Sequence, residues 1–380
     1  MAKRRQNGEG TIYQRPNGLW VCEVTLGYDA NKKRIKKTVS SMDLEKLKKK
    51  LNDLKYLNDR NMVAEPSKYT VSDWLDFWLE NYKKQSVKPT TYDMYYTACK
   101  NYIKPHLGHY KLDKLNPLAV QKFVNDISQK GLNAKDGLSL SSLKKITITL
   151  SQAYDQAVKL GMLYQNPCSS IVMPQKDVKQ SVAFTEDEQK RFLSHCPGET
   201  TFENLFIFAF NTGMRMGEIL ALMWNDIDFK NNIVTVSKNI SVVTNYDEDA
   251  EKKQKTIINT STKNGTIREV PLTKKALSAV QFQKEHNRHN SPFVFYSTTG
   301  TPVQKRNIYK AFDRIIGKSD ISSPVTFHSM RHSFATRLLE KGADIKTVSN
   351  LLGHKSIHIT LDIYSHVHTD LKQKTIALLD

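Results

Sequence analysis

The hydrophobic pattern begins with a period of two and switches, near residue 42, to a period of 3.6, which commits the chain to a mixed architecture. Up to residue 40, short apolar runs alternate with turn residues: Thr11-Ile12-Tyr13, Pro16-Asn17-Gly18, Trp20 through Leu26, Asp29-Ala30-Asn31, and Ile35 through Val39. This spacing predicts three short antiparallel strands. Leu44, Leu47, Leu51, Leu54 and Leu57 follow with lysines between them, a helical stripe that would cover one face of the sheet. The exposed face of this β-β-β-α module is expected to carry Arg15, Lys32, Lys33, Arg34, Lys36 and Lys37, and a small sheet of this kind can lie in a DNA major groove.

At 380 residues the chain is long enough for two or three domains. The β-β-β-α module is assigned to residues 1–62. A helical block, 63–165, starts where Thr70 and Asp73 form a capping-box pattern. Val71, Trp74, Leu75, Trp78, Leu79 and Tyr82 then line one helix face. Further helix starts are predicted at Thr90 with Asp93, at Asn116 with Pro117 in the first helical position, and at Ser141 or Ser142. Residues 166–181, with Pro167 and Pro174, read as a linker. A third domain, 182–380, opens on a capping box at Thr185 and Glu188. It has strands between Ile227 and Leu272, and from Ser329 onward three helical stretches separated by Gly342 and Gly353. The fold class is α+β and multidomain: a three-stranded sheet plus helix, a helical bundle, and a mainly helical domain with a small antiparallel sheet.

Composition narrows the function. The chain carries 57 Lys and Arg against 38 Asp and Glu, a net charge of +19, which favours a polyanionic partner. The excess is densest in residues 1–60, with 15 basic and 7 acidic groups. Apolar runs fall short of a membrane span, and the basic N-terminus leads into no signal-peptide core. Cys22, Cys99, Cys168 and Cys196 are too far apart for a CxxC pair and read as free thiols in a reducing cytoplasm.

The C-terminal domain gathers residues suited to one kind of chemistry. Arg215 stands between Gly213 and Gly217, Lys263 beside an Asn264-Gly265 hairpin turn, and His328 and Arg331 at a helix start. His354 and Tyr364 follow. Arginine forks match the non-bridging oxygens of a phosphate and stabilise a pentacoordinate transition state. A tyrosine oxygen can hold phosphorus covalently, and lysine or histidine can protonate the leaving alkoxide. The set fits phosphoryl transfer on a DNA backbone with no metal and no cofactor.

In order and spacing these residues resemble the tyrosine recombinase (integrase) family. The matching elements are Thr212-Gly213-Met214-Arg215-Met216-Gly217-Glu218, the hairpin Lys263, His328-Ser329-Met330-Arg331-His332, Leu351-Leu352-Gly353-His354 and Thr360-Leu361-Asp362-Ile363-Tyr364-Ser365-His366. The helical block is similar to that family's core-binding domain. Gly10-Thr11-Ile12-Tyr13 with Gly18-Leu19-Trp20 is similar to the arm-binding domain of integrases from conjugative transposons.

The resemblance implies that Tyr364 is the nucleophile, that Arg215 and Arg331 bind the scissile phosphate, and that Lys263 is the general acid. It makes His328 a proton-transfer or phosphate-contact group, His354 a phosphate hydrogen-bond donor and Glu218 structural. It further implies two strand exchanges through a Holliday junction, by a homotetramer on double-stranded core and arm sites in the bacterial cytoplasm. It leaves room for an excisionase or a host DNA-bending protein, and it implies that the tail after Tyr364 docks on a neighbouring subunit. One departure is a strand region, 238–262, longer than the family minimum.

Three other readings compete. A metal-dependent nuclease could use the i,i+4 pairs His328/His332 and His354/His358 as zinc ligands, but neither first histidine is followed by the glutamate such a motif requires. A type IB topoisomerase would share the tyrosine and the cationic pocket, and a non-catalytic regulator would explain only the charge.

Overall fold

A computed structural model describes residues 11–28, 34–59, 68–130, 137–175, 182–246, 254–259 and 267–365, and the chain divides into two units, residues 1–178 and 179–380. The boundary expected between 62 and 63 falls inside the first unit, in a stretch outside the described residues. Helices and small antiparallel sheets are both present, as the change of hydrophobic period requires.

In the first unit β1 (Thr11–Gln14), β2 (Trp20–Tyr28) and β3 (Arg34–Ser41) form one antiparallel sheet in sequence order. Gly18, at φ +80°, turns β1 into β2. Cys22 and Val24 alternate inward, and α1 (Leu44–Asp59) covers them with Leu47 and Leu51, so the 3.6-period stripe and the period-two strands share one small core. The helical part of the unit contains α2 (Val71–Trp78), α3 (Pro89–Ala98), α4 (Lys104–Leu107), α5 (Pro117–Lys130) and α6 (Leu140–Lys159). Thr70 caps α2 in the expected box, its Oγ1 accepting from the Asp73 amide. Trp74 is buried against α6, where its Nε1 donates to the Ala153 carbonyl at 2.9 Å.

Two helix starts differ from expectation. α3 begins at Pro89 with Lys88 in the cap position, not at Thr90, because the fixed φ of proline suits the first helical residue. α6 is capped by Ser139, which accepts from Ser142; the serines at 141 and 142 lie inside its first turn.

The second unit contains α7 (Glu186–Ser194), α8 (Glu203–Thr212), α9 (Met216–Leu220), β4 (Ile227–Asp228), β5 (Ile233–Val236), β6 (Asn239–Thr244), β7 (Gln254–Asn259), β8 (Arg268–Pro271), α10 (Lys274–Glu285), α11 (Lys305–Lys318), α12 (Phe327–Glu340), α13 (Ile345–Leu352) and α14 (His358–Ser365). Its core is aromatic. Phe184, Phe192, Phe206, Phe210, Phe312 and Phe327 are all buried, with edge-to-face pairs such as Phe184 with Phe210 at 5.1 Å and Phe192 with Phe206 at 5.2 Å. Phe327, the first residue of α12, packs on Phe206 and Phe312 and so anchors the helix that carries His328 and Arg331.

Strand order is β4-β5-β8 in one sheet and β6-β7 in another. Of the two strands that flank Lys263, β7 pairs with β6 and β8 with β5; the hairpin turn expected at Asn264-Gly265 lies outside the described residues. The long 238–262 region supplies β6 as a partner for β7. Among the described residues no helix is long and apolar enough to cross a membrane.

Candidate active site

Four of the expected residues meet around the end of α13. Helix α8 stops at Gly213, whose φ of +60° reverses the chain. A Cβ there would stand 2.5 Å from Phe334 Cδ1 and 2.9 Å from Leu352 Cδ2, so only glycine allows this close approach. Arg215 follows in extended conformation as the residue before α9, its backbone N–H donating to Glu218 Oε2 at 2.9 Å.

The last carbonyls of a helix have no intrahelical partner and carry its negative dipole end. At the end of α13, three arginines satisfy three consecutive carbonyls. Arg268 Nε donates to Leu351 at 2.8 Å, Arg331 Nη2 to Leu352 at 2.7 Å, and Arg215 Nη2 to Gly353 at 3.0 Å. Arg331 also donates through Nη1 to the Gly213 carbonyl at 2.8 Å. Two contacts therefore aim each of the Arg215 and Arg331 forks, while among the described residues part of each donor set has no protein partner.

Glu218 is the shared counter-ion. Its side chain is 2 % exposed, and it pairs with Arg268 Nη2 at 2.6 Å and Arg215 Nη1 at 2.9 Å. Burial alone would raise its carboxyl, but the Arg268 hydrogen bonds and charge, with those of Arg215, outweigh burial and hold it below the ordinary value. Arg331 is 4 % exposed. Burial, with the charge of Arg215 next, pushes its guanidinium down to about 9, still protonated at neutral pH.

Both histidines are neutral. Burial comes first and the neighbouring cations second: His328 is pushed down to about 4 by desolvation, then Arg331, His332 and Arg215, and His354 to about 4 by desolvation, then Arg331, Arg215, His328 and His332. His328 is nonetheless exposed at the protein surface, so it can hydrogen-bond a bound group without charge of its own. His354 Nδ1 lies 2.8 Å from Thr360 Oγ1.

Tyr364 is described through its backbone alone, on α14, which packs against α12 and α13 through the cluster of Ala335, Leu339, Val348, Leu352 and Ile363. Lys263 lies outside the described residues. Two residues of the site were not singled out from sequence: Arg268 and Thr360. Arg268 lies on a strand in an otherwise unremarkable run, and its only signal is position, five residues after Lys263. Among the described residues no three histidine, cysteine, aspartate or glutamate side chains gather as a metal site, and His328 and His332 stand with ring centroids 6.3 Å apart.

The basic residues of the N-terminal module are spread out. Arg15 is exposed beside the β1–β2 turn, and Lys36 and Lys37 are exposed on β3. Lys36 pairs with Thr25 and Lys37 with Val24, so alternation puts Lys36 on the open face and Lys37 on the helix-bearing one. That corrects the single-face expectation for Lys37. Arg34 is described by its backbone on β3, and Lys32 and Lys33 lie outside the described residues.

Comparison with known proteins agrees with this geometry. The "Phage integrase family" model matches residues 182–370 and the "Phage integrase, N-terminal SAM-like domain" model matches 70–128. A tyrosine recombinase XerC-like protein of Caldanaerobacter subterraneus is 32 % identical over 380 residues, covering 93 % of each chain. The ICEBs1 integrase of Bacillus subtilis is 29 % identical over 74 % of this chain and 76 % of its own. Among solved structures, the Tn1549 transposon integrase in complex with a circular intermediate DNA superposes with a TM-score of 0.69 at 21 % identity, over 82 % of this chain and 100 % of that one. A lambda integrase tetramer bound to a Holliday junction gives 0.62 at 21 %, over 95 % and 96 %. With the arginine-histidine pocket and the tyrosine-bearing helix in the family's order, this chain belongs to the tyrosine recombinase (phage integrase) family of DNA breaking-rejoining enzymes.

Proposed function

We propose that this chain is a site-specific recombinase that integrates and excises a mobile element, cutting and rejoining double-stranded DNA through a 3′-phosphotyrosyl intermediate and a Holliday junction. The observation that carries the reading is the pocket at the end of α13, where two braced guanidinium forks meet two neutral histidines beside the helix that bears Tyr364.

In this scheme Arg215 and Arg331 grip the non-bridging oxygens of the scissile phosphate and gain most as charge builds on them in the transition state. Neutral His328 accepts the phenolic proton as Tyr364 Oη attacks phosphorus. The bond to the 5′ oxygen breaks and Lys263 supplies its proton, leaving a 3′-phosphotyrosyl link and a free 5′-hydroxyl. His354 donates a hydrogen bond to the phosphate. The phosphodiester energy is kept in the new ester, so rejoining needs no nucleotide cofactor.

The wider assembly belongs to the same proposal. Four copies would act on two duplexes, an arrangement supported by the lambda integrase tetramer on a Holliday junction. Residues 1–62 would bind arm sites, residues 63–165 and 182–380 would clamp the core site, and 166–181 would link them. Direction would be set by an excisionase or a DNA-bending protein, in the bacterial cytoplasm.

The test is a nicked attachment-site duplex that traps the covalent complex on a denaturing gel. The wild type is expected to form the adduct in excess EDTA, and Tyr364→Phe to bind the same duplex and form none. An adduct from Tyr364→Phe would overturn the assignment, loss in EDTA with rescue by magnesium or zinc would favour a nuclease, and relaxation of any supercoiled plasmid regardless of sequence would favour a topoisomerase.

A further inference from the structure

Thr360 is fully buried in α14, one helical turn before Tyr364, and its hydroxyl lies 2.8 Å from His354 Nδ1. The bond links the tyrosine-bearing helix to the loop that follows α13. Two arrangements of its hydrogen are conceivable in general. The ring could donate from Nδ1 to the hydroxyl oxygen, or the hydroxyl could donate to an unprotonated Nδ1.

The surroundings decide. A neutral imidazole carries one N–H, so the two nitrogens have opposite roles. Among the described residues the Thr360 hydroxyl has no hydrogen-bond partner other than His354. Were the ring the donor, the hydroxyl hydrogen would be left unpaired in the protein interior, which is costly. Were the hydroxyl the donor, both groups would be satisfied and the ring proton would sit on Nε2. Burial first, and then the charges of Arg331, Arg215, His328 and His332, keep the ring neutral, so a doubly protonated ring, which would serve either arrangement, is not available.

We propose that Thr360 is a positioning residue which fixes the tautomer of His354, donating to Nδ1 so that Nε2 holds the proton and offers it as a hydrogen bond to the scissile phosphate. The opposite tautomer would present a lone pair to the phosphate and repel it. The donor is thus set by a residue of the same helix as Tyr364, and the phosphate contact is complete only when that helix is seated. This inference rests on the recombinase reading for the role of the phosphate, but not for the tautomer itself.

Two measurements on the full chain test it. In histidine-labelled protein without DNA, the long-range proton-nitrogen spectrum, with the His354 signals assigned by their loss in His354→Ala, should show Nδ1 unprotonated and Nε2 protonated. A protonated Nδ1 in the wild type overturns the proposal.

On the nicked duplex, Thr360→Val keeps the side-chain shape but removes the donor, and adduct formation should slow roughly 10-fold or more, in keeping with the loss of an aligned transition-state donor. Thr360→Ser, which retains the hydroxyl, should restore the rate to within about threefold, a small residue of that same effect. In the His354→Ala background the valine change should add nothing. A further loss there, or a Thr360→Val enzyme as fast as wild type, would reject the positioning role. A wild type that forms no adduct at all would instead remove the recombinase reading, with the tautomer still measured.

Discussion

The residues of the pocket are held by one another, which makes their charges interdependent. Glu218 sits between Arg215 and Arg268 with 2 % of its side chain exposed, and a buried charge that loses one partner is expensive. Arg268→Met should therefore destabilise the second unit by about 3–5 kcal/mol, read as a drop in the urea midpoint, and the Arg268→Met, Glu218→Gln double variant should lose less than the two single losses added together. Strict additivity would mean that Arg268 does not act through Glu218.

The histidines give a pH dependence with a definite sign. His328 and His354 bind protons near pH 4 in the folded chain but near 6.5 when unfolded, so between those values the unfolded state takes up more protons and stability falls as pH is lowered. A melting temperature that is flat from pH 7 to 4.5 would contradict this, and His328→Asn should flatten part of the slope. Arg215, His328, Arg331 and His354 were legible in the sequence because their motifs have fixed local spacing. Arg268 and Thr360 were not, because an arginine on a strand and a threonine on a helix look like ordinary surface and core residues until the fold brings them to the end of α13.

At the scale of elements, the site depends on how helices end. α13 stops at Gly353, with φ +65°, and a Cβ there would lie 3.1 Å from both Arg268 Cδ and Arg268 Nη1. Arg268 cannot yield without leaving Glu218 or the Leu351 carbonyl. Gly353→Ala should thus cost about 1–3 kcal/mol from the left-handed backbone alone and slow adduct formation more than binding, whereas equal losses in both would point to general unfolding of the pocket. Helix starts were readable where capping is local, as at Thr70 and Thr185. Strand partners were not. β7 and β8 are neighbours in sequence, yet they pair with β6 and β5, a choice made by distant segments and by the extra length of 238–262 that turn residues near Lys263 cannot report.

At the scale of the whole molecule, the charge is the property that no single pocket explains. A net +19 is far more than one phosphate site requires, and residues 1–60 carry its densest part. If residues 1–62 read arm sites, the N-terminal sheet adds phosphate contacts that are separate from the core site, and each contact should add roughly 0.9 to the slope of log affinity against log salt. Arg15 and Lys36 are exposed where such contacts could form, while Lys37 lies on the helix-bearing face, so Arg15→Gln and Lys36→Gln should each lower the slope for arm DNA, and Lys37→Gln should lower it less. Removal of residues 1–62 should abolish a discrete footprint at arm sites and reduce recombination of complete attachment sites, yet leave Tyr364-dependent cleavage of a short core duplex. Uniform weakening on every DNA, with no arm footprint lost, would make the module a general electrostatic anchor and leave the chemistry at the end of α13 untouched.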